Sequence, residues 1–72
     1  MALQISVSPA GEGWAVRSEL LKGEMTFDKG SRAEAAARVL ADNWARSGRP
    51  AEVRIFLRDG SEAGTLEFPA AG

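Results

Sequence analysis

SRAEAAARVLADNWAR, residues 31–46, is where the apolar spacing of this chain changes from every second residue to every third and fourth. Alanine, the strongest helix former, dominates the segment, and Ala33, Ala36, Ala37, Leu40 and Trp44 fall on one stripe. Ser31 and Glu34 stand at capping-box spacing, so the helix is expected to begin there. The Ser31 hydroxyl would accept from the amide of the third helical residue, and Glu34 would reach back to the cap amide. Ser47-Gly48-Arg49-Pro50 ends it, because Gly48 tolerates the left-handed conformation and Pro50 cannot extend a helix. Small residues let such a rod sit close on a sheet, with Leu40 and Trp44 supplying most of its buried area. Arg32, Glu34, Arg38, Asp42 and Arg46 fall on the solvated side, Glu34 and Arg38 one turn apart.

Upstream of the helix the period is two. Leu3, Ile5 and Val7 alternate with polar residues until Pro9-Ala10-Gly11-Glu12-Gly13 interrupts them. From Trp14 to Leu20, Trp14, Val16 and Leu20 take one side, and Ala15, Arg17 and Glu19 the other. Lys22-Gly23 reads as a two-residue turn, from which Glu24 to Asp28 returns antiparallel as a short edge strand whose acidic ends discourage further pairing. That turn sets Leu20 opposite Met25, Ser18 opposite Phe27 and Arg17 opposite Asp28. Turn and pattern agree without either depending on the other. Downstream, Val53, Ile55 and Leu57 alternate with Arg54, Phe56 and Arg58 before Asp59-Gly60, a strong hairpin signal. A two-residue turn there places Val53 opposite Leu66, Arg54 opposite Thr65 and Phe56 opposite Ala63.

The element order is thus β-β-β-α-β-β, an α+β fold with one helix packed on one face of a mostly antiparallel five-stranded sheet. A spatial order 3-2-1-5-4 makes every neighbour antiparallel and is preferred to 3-2-1-4-5, which needs one parallel pair. Residues 1–68 are expected to form a single domain and residues 69–72 a flexible C-terminal tail. Trp14 and Trp44 lie in the apolar phase of their elements and are expected in the core.

Composition removes whole function classes. The 72 residues contain no cysteine and no histidine, which leaves no thiol chemistry, no disulfide, and neither the usual general base nor the usual metal ligand. Nine Lys plus Arg against ten Asp plus Glu give a net charge of −1, without the basic field of a typical nucleic-acid binder. The N-terminal residues lack a basic n-region followed by an apolar stretch, and no segment has the apolar length of a membrane span. A cytoplasmic location without membrane contact is therefore expected. The serines have no base to activate them, the carboxylates lie on solvated faces or near turns, and Gly11-Glu12-Gly13 precedes a strand rather than a helix. No catalytic, metal or cofactor-binding residue is assigned, and the protein is expected not to be an enzyme.

Gly13-Trp14-Ala15-Val16-Arg17, the alanine-rich helix from Ser31, and the strand from Val53 to Asp59-Gly60 resemble a small bacterial family of uncharacterised proteins. In that family a Gly-x-Trp-x-Val-Arg/Lys hairpin precedes an alanine-rich helix and a strand ending in Asp-Gly. The resemblance runs from Ile5 to Leu66 and departs at the longer Ser61–Phe68 strand. It implies the architecture and a bacterial origin, and it transfers no functional residue.

What remains is the helix-free sheet face. Arg17, Arg54, Phe56 and Arg58 are its candidate interaction residues, an aromatic between guanidinium groups. Together with Ala15 and Ala63, Phe56 suggests a modest apolar patch with a charged rim, suited to a homodimer or a protein partner. The alternative is weak single-stranded nucleic-acid binding through the same residues, disfavoured by the net charge and by the presence of one aromatic where RNA-binding sheets present two or three. In the plain structural reading Phe56 covers Ala63, Arg54 reaches Glu67, and Arg58 stays in water.

Overall fold

The computed structural model describes residues 2–71; Met1 and Gly72, at the ends of the expected domain and tail, lie outside the described residues. Its elements are β1 (Leu3–Ala10), β2 (Gly13–Ser18), β3 (Met25–Phe27), α1 (Gly30–Arg46), β4 (Ala51–Phe56) and β5 (Glu62–Phe68). They form the expected α+β arrangement, one helix on one face of a five-stranded sheet.

The spatial order is β3-β2-β1-β4-β5, with β1 and β4 parallel and the other neighbours antiparallel. This corrects the all-antiparallel preference. The physical reason lies in the apolar density of the two C-terminal strands. Ala51 and Val53 of β4 are fully covered at the sheet centre, whereas Leu66 and Phe68 of β5 are only half-buried. The more apolar strand takes the inner position, where both of its edges and its helix-side face are covered.

Beneath the helix lie Leu3, Ile5, Val7, Val16, Ala51 and Val53, with Trp14, Met25, Phe27, Ile55, Leu66 and Phe68 packed around them. The helix meets them along a line of alanines, Ala33, Ala37, Ala41 and Ala45, all buried. The expected stripe is rotated by this: Ala36, Leu40 and Trp44 are half-buried on its flank. Close approach of helix and sheet favours the side chain with no reach, so the large residues are displaced sideways.

The capping box does not form. Lys29, extended and without a side-chain hydrogen bond, is the N-cap, and its carbonyl accepts from the amides of Arg32 and Ala33. Gly30 enters the first turn because its bare Cα lies against the Trp14 indole, only 3.0 Å from where a Cβ would stand. Ser31 is thereby carried two places past the cap position, into the first turn, where its hydroxyl does not cap. At the other end Gly48 has φ +99, and its amide donates to Ala45, the left-handed stop expected there.

β1 continues through Pro9 to Ala10 and turns to Gly13 over Gly11-Glu12, with Gly11 at φ +59. Proline is tolerated because the β1–β4 ladder ends at Val7 opposite Ile55, leaving the last part of β1 with one free edge. The β2–β3 hairpin is longer-looped than expected: Trp14 pairs with Phe27, Ala15 with Thr26 and Val16 with Met25. The slip from the expected register is even-numbered, so every side chain keeps its face. What changes is that both aromatics gain apolar neighbours and Leu20 moves into an exposed loop.

At the β4–β5 turn the chain uses three residues, Arg58-Asp59-Gly60. The Leu57 amide donates to Ser61, the Gly60 amide donates to Leu57, and Gly60 is at φ +89. Val53 faces Leu66 and Arg54 faces Thr65 as expected, but Phe56 faces Glu62, because a bulge takes Ala63 out of the ladder. The bulge offsets the odd loop length and keeps the rest of β5 on its proper face. After β5, the Ala71 amide donates to the Ala45 carbonyl at 2.9 Å.

Candidate functional site

Alternation places Gln4, Ser6 and Ser8 of β1, Ala15 and Arg17 of β2, Thr26 of β3, Arg54 and Phe56 of β4, and Thr65 and Glu67 of β5 on the face away from the helix. Arg17 is paired with Glu24 and also donates to the Ser8 hydroxyl at 3.3 Å. Its side chain therefore runs along the sheet past Ala15, which is fully buried although no second layer covers this side. Arg54 donates from Nε to Glu52 at 2.9 Å and lies 3.7 Å from Glu62, the residue opposite Phe56. Glu67, its expected partner, is not the one it meets.

Phe56 is half-buried and lies outside the cluster beneath the helix. The expected apolar patch does not assemble around it. Ala15 is covered, and Ala63 is bulged out of register and exposed. Arg17, Arg54 and Phe56 share a face, each cation already beside a carboxylate.

Arg58 does something else. Its guanidinium donates to the carbonyl oxygens of Gly11 at 3.3 Å, Glu12 at 3.0 Å and Gly13 at 3.3 Å, and stacks over the Trp14 ring at 5.2 Å. One planar cation thus closes the β1–β2 turn from the β4–β5 turn. Its fixed fork suits this, since an ammonium could not both stack and bridge so many acceptors. The same corner holds Gly13, where a Cβ would collide with the Phe27 carbonyl oxygen of the neighbouring strand. Next to Arg58, the Asp59 carboxylate accepts from the Ser61 hydroxyl at 2.6 Å and the Ser61 amide at 2.9 Å. Those two bonds hold its pKa below the ordinary value of 3.8.

Residues 5–61 match the model of a family described as uncharacterized protein conserved in bacteria (DUF2188). The chain belongs to this family. No curated protein and no solved structure matches it. The DUF2188 match runs from Ile5 in β1 to Ser61 after the last turn, taking in Gly13, Trp14, Gly30, Arg58 and Asp59 and leaving the whole of β5 outside. Among the described residues of this DUF2188 chain no helix is long and apolar enough to cross a membrane.

Sequence reading missed the Arg58 anchor. Alternation assigns a residue to a face only while the strand lasts, and β4 ends at Phe56, so Arg58 belongs to the turn and is free to swing over the end of the sheet. The usable signal was Arg58-Asp59-Gly60 itself, a turn sequence with a long cation at its first position.

Proposed function

We propose that this domain is a non-enzymatic interaction module that works through its helix-free sheet face, and that a second copy of the chain covers that face. The observation that carries the reading is the arrangement of charge. Arg17 and Arg54 stand beside Glu24, Glu52 and Glu62 on one surface, with half-buried Phe56 among them. A two-fold interface requires a surface complementary to itself, and interspersed arginine and glutamate satisfy that requirement, since each cation can meet a carboxylate of the rotated copy. The core also leaves room for added burial. Its largest fully buried side chains are Ile5, Val7, Val16 and Val53, with no aromatic among them. Single-stranded nucleic acid calls for unpaired cations and several stacking rings; here the cations are paired, one ring is present, and Arg58 is engaged at the turn.

Sedimentation velocity from low to high micromolar concentration tests this reading. A dimer is expected, and Phe56→Ser is expected to weaken it without lowering the melting temperature of the monomer. A wild-type protein that stays monomeric throughout the range overturns the proposal. Titration with short RNA and DNA at two salt concentrations supplies the opposing outcome, because affinity that falls steeply with salt marks phosphate contacts.

A further inference from the structure

The two edges of the sheet differ in a way that points to a partner. β3 has three residues between Glu24 and Asp28, short and charged, a blunted edge. β5 is the opposite edge, seven residues long with no proline or lysine inside it. Its one irregularity, the bulge at Ala63, lies at its beginning, so Gly64–Phe68 is an uninterrupted strand. Every other residue of that strand turns its N–H and C=O away from β4.

We propose that β5 pairs antiparallel with β5 of a second copy, about a two-fold axis through Leu66, forming one sheet continuous through both copies. Partners across an antiparallel ladder share a face, so only registers centred on a residue are allowed, and those centred on Gly64, Thr65 or Leu66 lie within reach. Centring on Gly64 or Thr65 draws the bulge into the new ladder. Centring on Leu66 uses the regular segment alone. It sets Leu66 against Leu66 of the partner subunit and Thr65 against Glu67 of the partner subunit, with no like charges opposed.

It also sets Phe68 against Gly64 of the partner subunit. A Cβ at Gly64 would meet nothing within 4 Å, so the strand has a gap on its helix side. A cross-strand aromatic is the side chain that covers such a glycine. Leu66 and Phe68 are both half-buried in the monomer, and this register places their uncovered parts in contact with apolar neighbours.

The two-fold axis stands perpendicular to the sheet. Both helices then lie on one side, and the two helix-free faces lie side by side on the other. The edge pairing thus uses a different surface from the face proposed above, and neither depends on the other.

The absence of cysteine makes the test direct. Leu66→Cys places two thiols across the axis at a spacing a disulfide can span, and rapid intermolecular cross-linking under mild oxidation is expected. Ser6→Cys, on the central strand of the helix-free face, reports on the face contact by the same readout while leaving Phe56 in place. Cross-linking of the Leu66 variant alone supports the edge and sinks the face, and the reverse result does the opposite. Gly64→Lys adds a charged chain to open space in the monomer, so its melting temperature should be close to wild type while edge-dimer affinity falls at least about tenfold. Unchanged association in Gly64→Lys, or no cross-link in the Leu66→Cys protein, overturns the proposal.

Discussion

At the N-terminal end of α1 the Trp14 indole lies against the bare Gly30 and under an Arg58 guanidinium that three carbonyl oxygens hold in place. At the C-terminal end Trp44 also carries an arginine, Arg49, at 5.6 Å, but Arg49 makes no hydrogen bond among the described residues. An open depression of about 620 Å³ lies beside that ring, next to exposed Leu20. The same pair of side chains therefore does two jobs. Where the backbones of β2, β3 and the helix approach closely and the cation is anchored, the stack fixes the fold; where neither holds, it shields a ring from water.

Alanine substitution of the two tryptophans offers the largest break in that comparison. Trp14→Ala should cost about 3 kcal/mol in urea unfolding and Trp44→Ala about half of that, because both rings are half-buried but only Trp14 packs on Gly30 and under the anchored Arg58 and would leave a gap between elements. Equal losses would mean that the two ends are equivalent. Gly13→Ala should cost about 2 kcal/mol, since the added methyl forces apart strands that cannot give way, while Gly23→Ala, with nothing within 4 Å, should be near neutral. Arg58→Ala should cost about 1 kcal/mol after allowance for solvent screening, and Arg49→Ala a few tenths at most.

The smallest effect concerns Asp59. Its pKa is lower in the folded protein than in the unfolded chain, chiefly through the Ser61 hydroxyl and then the Ser61 amide. The bonded carboxylate thus stabilises the fold above the ordinary value of 3.8 and ceases to do so as pH falls through the lowered one. Urea midpoints followed into acid should show a slightly shallower decline for Asp59→Asn than for wild type.

These contrasts also mark how far the sequence could be read. Element order, the helix span and the inner part of the β4–β5 register were legible because each followed from periodicity. The β2–β3 register was not, since an even slip leaves every residue on its face and only the tertiary gain of pairing Trp14 with Phe27 chooses between the two. Strand order was missed because turn chemistry favours antiparallel neighbours and says nothing of which strand is central. The density of apolar residues from Val53 to Leu57, against Gly64, Thr65 and Glu67 in β5, carried that information. Ser31 misled because a capping box is a local motif, and packing of Gly30 on Trp14 overrode it. Of the candidate face, Arg17, Arg54 and Phe56 were legible by alternation, while the arginine beyond the strand end was not.

The parallel β1–β4 ladder has a kinetic corollary. Each hairpin can close locally, but the ladder joining them, and the Arg58 tie to Gly11 across 47 positions, must wait until the intervening chain is ordered. Closing so long a segment costs entropy before any pairing offsets it. We expect the rate of refolding to be set by docking of the two halves, so Val53→Ala should slow folding, whereas Arg58→Ala should mainly hasten unfolding. A guanidinium at the rim would then be the last bolt slid home.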